Sequence, residues 1–151
     1  MWDSKKSLAL SKCCVVVFMV ALAVAAIITP WAFNHSPYFQ SMHILRELGA
    51  KPFLVTVYSG FVPAAALLAF LFILLHRIGK EQVFITENVR TLRQISWCCF
   101  VGAMICFASS IYWFPWFAIG VAAAFMGLIV RVVKNVIAKA VSLQEEADYT
   151  I

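Results

Sequence analysis

The stretch from Gly79 to Trp97, GKEQVFITENVRTLRQISW, gathers Lys80, Glu81, Glu87, Asn88, Arg90 and Arg93 between long apolar runs. It is either a plain loop between membrane spans or the working end of the molecule. Carboxylates, an amide and guanidinium groups in one segment suit recognition of a charged partner. Other groups capable of chemistry are sparse. Thr56, Tyr58, Ser59, Ser109 and Ser110 are hydroxyls in apolar surroundings. Each can bond the carbonyl one turn back along its own helix, the ordinary fate of such a group. His43 and Glu47 stand one helical turn apart, yet two weak ligands do not make a metal site. The cysteine pairs Cys13–Cys14 and Cys98–Cys99 are each adjacent in sequence, so their thiols point to different sides of a helix and read as small apolar packing. His35, His43 and His76 offer no haem pair at matched depth. Hence no catalytic residue, metal or cofactor is expected.

The elements that must carry these residues follow from composition. The chain has 151 residues, room for one domain, and is 64% hydrophobic and 13% charged, with a mean hydropathy of +0.91. A soluble domain is usually about half apolar and about a quarter charged. Lipid is therefore the expected solvent. Cys13–Phe33 and Phe53–Leu75 are each about one span of a bilayer core about 30 Å thick. Ile95–Val130 is uncharged throughout, roughly 54 Å of helix, and is too long for one crossing. Near its middle YWFPW supplies a helix-breaking Pro115 beside Tyr112, Trp113 and Trp116, residues suited to a headgroup interface. The expected fold is an all-α polytopic bundle of four transmembrane helices. Its spans are approximately 13–33, 53–75, 95–112 and 114–133, with a connection at 77–94 and a tail at 134–151. A re-entrant hairpin is the alternative for the last two spans, and a signal peptide is the rival for the first, whose apolar run outlasts an ordinary signal core.

Charge placement gives orientation. Lys5, Lys6, Lys12, Arg77, Lys80, Arg90, Arg93, Arg131, Lys134 and Lys139 fall on one side, ten of the twelve basic residues, against Arg46 and Lys51 on the other. The positive-inside rule then places both termini, the connection and the tail in the cytoplasm. Juxtamembrane positives without base-stacking aromatics give no reason to expect direct nucleic-acid binding. No span carries Asp, Glu, Lys, Arg or His in its central part, and this absence lowers pumps, proton-coupled carriers and intramembrane hydrolysis as readings.

Several finer expectations follow. Ser36, Pro37 and Gly49 bracket a short helix on the outer surface. Gly79 ends the second helix; Thr86 caps the third, which continues through Val89, Leu92 and Ile95 into its span, with Arg90 and Arg93 reaching headgroups and Phe84 as an anchor. Pro63 kinks the second span. Ala21/Ala25, Gly60/Ala64, Gly120/Ala124 and Ala123/Gly127 are small residues four apart, suited to close packing within the bundle or between copies. The tail either stays solvated or folds back so that Glu145, Glu146 and Asp148 meet Arg90 and Arg93, while Tyr149 and Ile151 cover Phe84.

VFITENVRTLRQI resembles the pF…EN…LR.I signature of a bacterial four-span membrane family, domain of unknown function twenty-nine seventy-five. The matching positions are Phe84, Glu87, Asn88, Leu92, Arg93 and Ile95, and LQEEADYTI is similar to the family's acidic ending, with Glu145, Glu146, Thr150 and Ile151. Val83 departs from the usual proline. The resemblance implies a bacterial cytoplasmic membrane and, through frequent gene neighbourhood, pairing with a small Cro-like helix-turn-helix regulator. The expected function is a non-enzymatic regulatory or interaction subunit, presenting the 77–94 connection and the tail to a cytoplasmic or membrane partner. A homo-oligomeric channel or small-solute carrier using hydroxyls and backbone at Pro63 is the alternative.

Overall fold

The computed structural model describes residues 4–35, 37 and 51–150. Four helices cover most of these residues: α1 (Ser4–His35), α2 (Lys51–Ile78), α3 (Thr86–Ser109) and α4 (Pro115–Tyr149). All four are long and apolar enough to cross a membrane, and no strand occurs among the described residues. In hydrocarbon every backbone N–H and C=O must be satisfied within the chain, which the helix does segment by segment. The outward faces fit the same solvent. Ile27 is 76% exposed, Val62 72% and Met104 68%, a surface that lipid tolerates and water does not. The outer surface helix expected around Ser36–Gly49 lies outside the described residues, apart from Pro37.

The helices pack in chain order, α1 on α2, α2 on α3 and α3 on α4. At one end Leu8 and Lys12 of α1 approach Gly79, just past the end of α2. Toward the other end Tyr58 donates to the Ala26 carbonyl at 3.0 Å, and the Phe33 and Phe53 rings lie 5.6 Å apart. The central position belongs to α3: 33% of its most apolar window is buried, against 6% for α1 and α2. Leu92 and Ile95 of α3 meet Leu74 of α2 in the core, with Leu71, Val130 and Ile137 packed around them.

Between α3 and α4 the approach is closest where side chains are smallest. A methyl on Gly127 would sit 3.1 Å from Cys99 Cβ, and one on Gly120 would sit 2.9 Å from the Phe107 ring. Ser96 adds a bond from its hydroxyl to the Gly127 carbonyl at 3.1 Å. Residues 110–114 form the tight turn expected around YWFPW, and Pro115 stands in the first turn of α4. Trp113 meets Phe53 edge-on at 6.0 Å and Trp116 meets it at a tilt at 5.9 Å, so the turn is fastened to the start of α2.

Two local expectations are corrected. The cap of α3 is Ile85, in extended conformation and without a side-chain cap bond, and Thr86 is already helical. The end of α2 is not made by Gly79 either. Gln82 N–H bonds the Arg77 carbonyl and Glu81 N–H bonds the Ile78 carbonyl, the paired bonds of a Schellman cap, with Glu81 at φ 63° in the left-handed position. Gly79 instead leaves room for Leu8 and Lys12 of α1. Of the two readings of the tail, the fold-back is the one the structure rules out. The tail does not fold back, because α4 runs unbroken to Tyr149, and nothing from Leu128 onward is a glycine or proline that would stop it.

Candidate functional site at the connection and the α4 extension

The connection is clamped from both helices it joins. From α2 comes the cap at Glu81 and Gln82. From α3 comes Asn88, only 1% exposed, whose side-chain amide donates to the Gln82 carbonyl at 2.7 Å and the Val83 carbonyl at 2.9 Å. Two carbonyl acceptors fix which end of the amide faces the loop, since only the NH2 can donate. The other end, Oδ1, is buried without a hydrogen-bond partner. One turn on, Thr91 donates to the Glu87 carbonyl at 2.9 Å and accepts from Arg77 Nη1 at 3.1 Å, which ties α2 to α3 below the clamp.

Held this way, the connection lies against the extension of α4. Phe84, Ile85, Thr86 and Glu87 on one side face Val141, Gln144, Glu145 and Asp148 on the other, across a groove of about 260 Å³. Val141 is buried at its base, whereas Phe84 remains 52% exposed at its rim. Three carboxylates, Glu87, Glu145 and Asp148, line this groove without a cation among its lining residues.

The motif residues thus divide. Phe84, Glu87 and Glu145 share the groove. Asn88 holds the loop, and Leu92 belongs to the core. Arg93 lines a separate cavity with Ser96, Trp97, Phe100, Arg131 and Lys134. The Glu146 carbonyl accepts the Thr150 hydroxyl at 2.5 Å, a local bond at the exposed end of α4. The expected ion pairs from Glu145 and Glu146 to Arg90 and Arg93 are not formed, since a straight α4 carries its acidic turns past the arginines toward Phe84. Tyr149 is 92% exposed and does not cover Phe84; Ile151 lies outside the described residues. Arg77, Thr91 and Val141 were not singled out as site residues in the sequence. Thr91 carried a usable signal, one turn from Glu87 on a helix that faces α2.

The membrane hydroxyls behave as expected except Tyr58, whose long phenol reaches the Ala26 carbonyl of α1 rather than its own helix, and some do more. Thr56, Ser109 and Ser110 bond carbonyls within their own helices. Thr56 and Ser109 also lie 2.8 Å apart, and Tyr112 donates to Thr56 at 2.5 Å, a cluster that joins α2, the end of α3 and the turn. At Pro63 a cleft of about 400 Å³ opens between α2, α3 and α4, lined by Gly60, Pro63, Ala64, Gly102, Met126 and other apolar residues. No group of three or more His, Cys, Asp or Glu that could hold a metal ion occurs among the described residues. The five cysteines are free thiols, with Cys99 packed on Gly127.

No curated protein and no solved structure matches the chain. One family profile does, over residues 5–151, nearly the whole length and with both the ENVRTLRQI segment and the acidic ending inside it. On that match, and with four membrane-length helices in place, the chain belongs to the family described as Protein of unknown function (DUF2975).

Proposed function

We propose that this protein is a non-enzymatic subunit of the bacterial cytoplasmic membrane, with both ends inside, that binds a protein partner at the groove between the connection and the α4 extension. The observation that carries this reading is the Asn88 clamp. A loop that merely joined two spans would need no buried amide holding Gln82 and Val83 in place, whereas a presented surface must be ordered before it binds. The groove's composition names the partner's chemistry. Exposed Phe84 offers an apolar anchor, and Glu87, Glu145 and Asp148 favour a basic segment. A small helix-turn-helix regulator is the first candidate, because such proteins carry Lys and Arg for phosphate contacts.

The channel or carrier reading is weaker on a specific ground. The cleft at Pro63 is lined by apolar side chains, and the hydroxyls that would line a solute path bond one another and their own helices instead. Photocrosslinking in native membranes separates the two. A photoreactive side chain at Phe84 or Glu145 is expected to trap one discrete protein, whereas the same group at lipid-facing Val62 traps none, and Asn88→Ala removes the adduct at Phe84. Lack of a protein adduct at both groove positions, together with solute flux into liposomes of the pure protein, would replace this reading with the channel.

A further inference from the structure

Closer to the apolar runs than the groove, α3 and α4 bring three basic side chains to one cavity. The contacts of Ser96 and Cys99 with Gly127, and of Phe107 with Gly120, set an antiparallel register that brings Arg93 level with residues 130–134. Arg93, Arg131 and Lys134 accordingly line one cavity of about 210 Å³ with Ser96, Trp97 and Phe100. No carboxylate lines it. Like charges lining one cavity repel one another, and the arrangement is relieved by an anion shared among them. The Ser96 hydroxyl is committed to the Gly127 carbonyl and can only accept a further bond. The donors left for an anion are two guanidinium groups, one ammonium and the indole N–H of Trp97, which is 62% exposed.

Depth sets the kind of anion. Arg93 is the last charge before the uncharged run of α3, and Arg131 is the first after that of α4, so the cavity sits at the border of the hydrocarbon. Trp97 and Phe100 line its membrane side, where an acyl chain would pass. We infer that Arg93, Arg131, Lys134 and Trp97 form a binding site for the phosphate group of an anionic phospholipid, wedged between α3 and α4. Two arginines and a lysine suit a phosphodiester: the guanidinium forks pair with its oxygens, and the ammonium adds a point charge.

Native mass spectrometry of the full chain in a neutral detergent tests this, with phosphatidylglycerol, phosphatidylcholine and inorganic phosphate as separate probes. Wild type should retain phosphatidylglycerol at least about tenfold better than phosphatidylcholine, the factor expected from one charge-assisted bond. Arg93→Gln with Lys134→Gln should abolish that preference. Lys80→Gln with Lys139→Gln, which removes the same charge elsewhere, should leave it intact. Circular dichroism and a monodisperse elution profile establish that each variant is folded, and the single Arg131→Gln, at an exposed position, provides the measurement if the double variant is not. Equal retention of the two lipids, or equal loss in the Lys80/Lys139 control, would overturn the site. Displacement of phosphatidylglycerol by inorganic phosphate at comparable concentration would overturn the lipid assignment in favour of a soluble phosphate ligand.

Discussion

Asn88 does the work that a proline before the phenylalanine would do in a more rigid turn. With Val83 at that position, the loop's path depends on two side-chain bonds to carbonyls rather than on a fixed φ. Asn88→Ala removes both, at a net cost of about 1–3 kcal/mol in local stability. Asn88→Asp should be worse, since it places a buried carboxylate against two carbonyl oxygens. Trypsin cleavage after the exposed Lys80, in vesicles open at that face, should therefore quicken from wild type to Ala to Asp; equal rates in all three would remove the clamp from the account. The cap of α2 makes a second residue-scale prediction. Glu81 sits at φ 63°, where a side chain costs about 1 kcal/mol and a β-branched one more. Glu81→Gly should hold or raise the melting temperature, and Glu81→Val should lower it. Asn88 was legible in the sequence as a motif residue, but its task was not. The acceptors belong to Gln82 and Val83, whose carbonyl directions exist only once α2 has been capped.

Among the elements, the small residues were legible as a class but not as contacts. Spacing of four suggested Gly60/Ala64 and Ala123/Gly127 as equivalent pairs, whereas the helices meet at Gly120 and Gly127, two turns apart. A methyl on Gly60 would touch nothing within 4 Å, because that residue lines the open cleft at Pro63. Gly60→Ala should thus be neutral or stabilising by up to about 1 kcal/mol through helix propensity. Gly127→Leu must push α3 from α4 and should cost about 1–3 kcal/mol or more. Thermal unfolding in detergent distinguishes them, and a Gly127→Leu melting temperature equal to wild type would refute the close contact. The α4 extension follows similar reasoning. Its 35 residues rise roughly 52 Å, well past a hydrocarbon core of about 30 Å, so its acidic turns reach Phe84 without any fold-back. A helix-permissive tail with no stop signal was visible in the sequence; the neighbour it would reach depended on where α3 begins.

For the whole molecule, the proposed orientation rests on ten basic residues against two. On a background with the cysteines replaced, Ser142→Cys should resist an impermeant thiol reagent added outside intact cells, and Trp113→Cys should react. Labelling of Ser142→Cys alone would reverse the orientation, and silence at Trp113→Cys in folded protein would favour a re-entrant hairpin. Four helices, their membrane solvent, the turn at YWFPW and the family were all determined by the sequence itself. Each follows from local quantities: an apolar run long enough to span, a proline that interrupts, a short motif in its place. The partition of the motif was decided only by tertiary structure. Glu87 and Arg93, six residues apart, line different recesses, one an acidic groove with Glu145 and the other a basic cavity with Arg131 and Lys134. Periodicity can place residues on the faces of α3. It cannot say which stretch of α4 lies opposite each face, because that register is set by the contacts of Gly120 and Gly127 deep in the membrane.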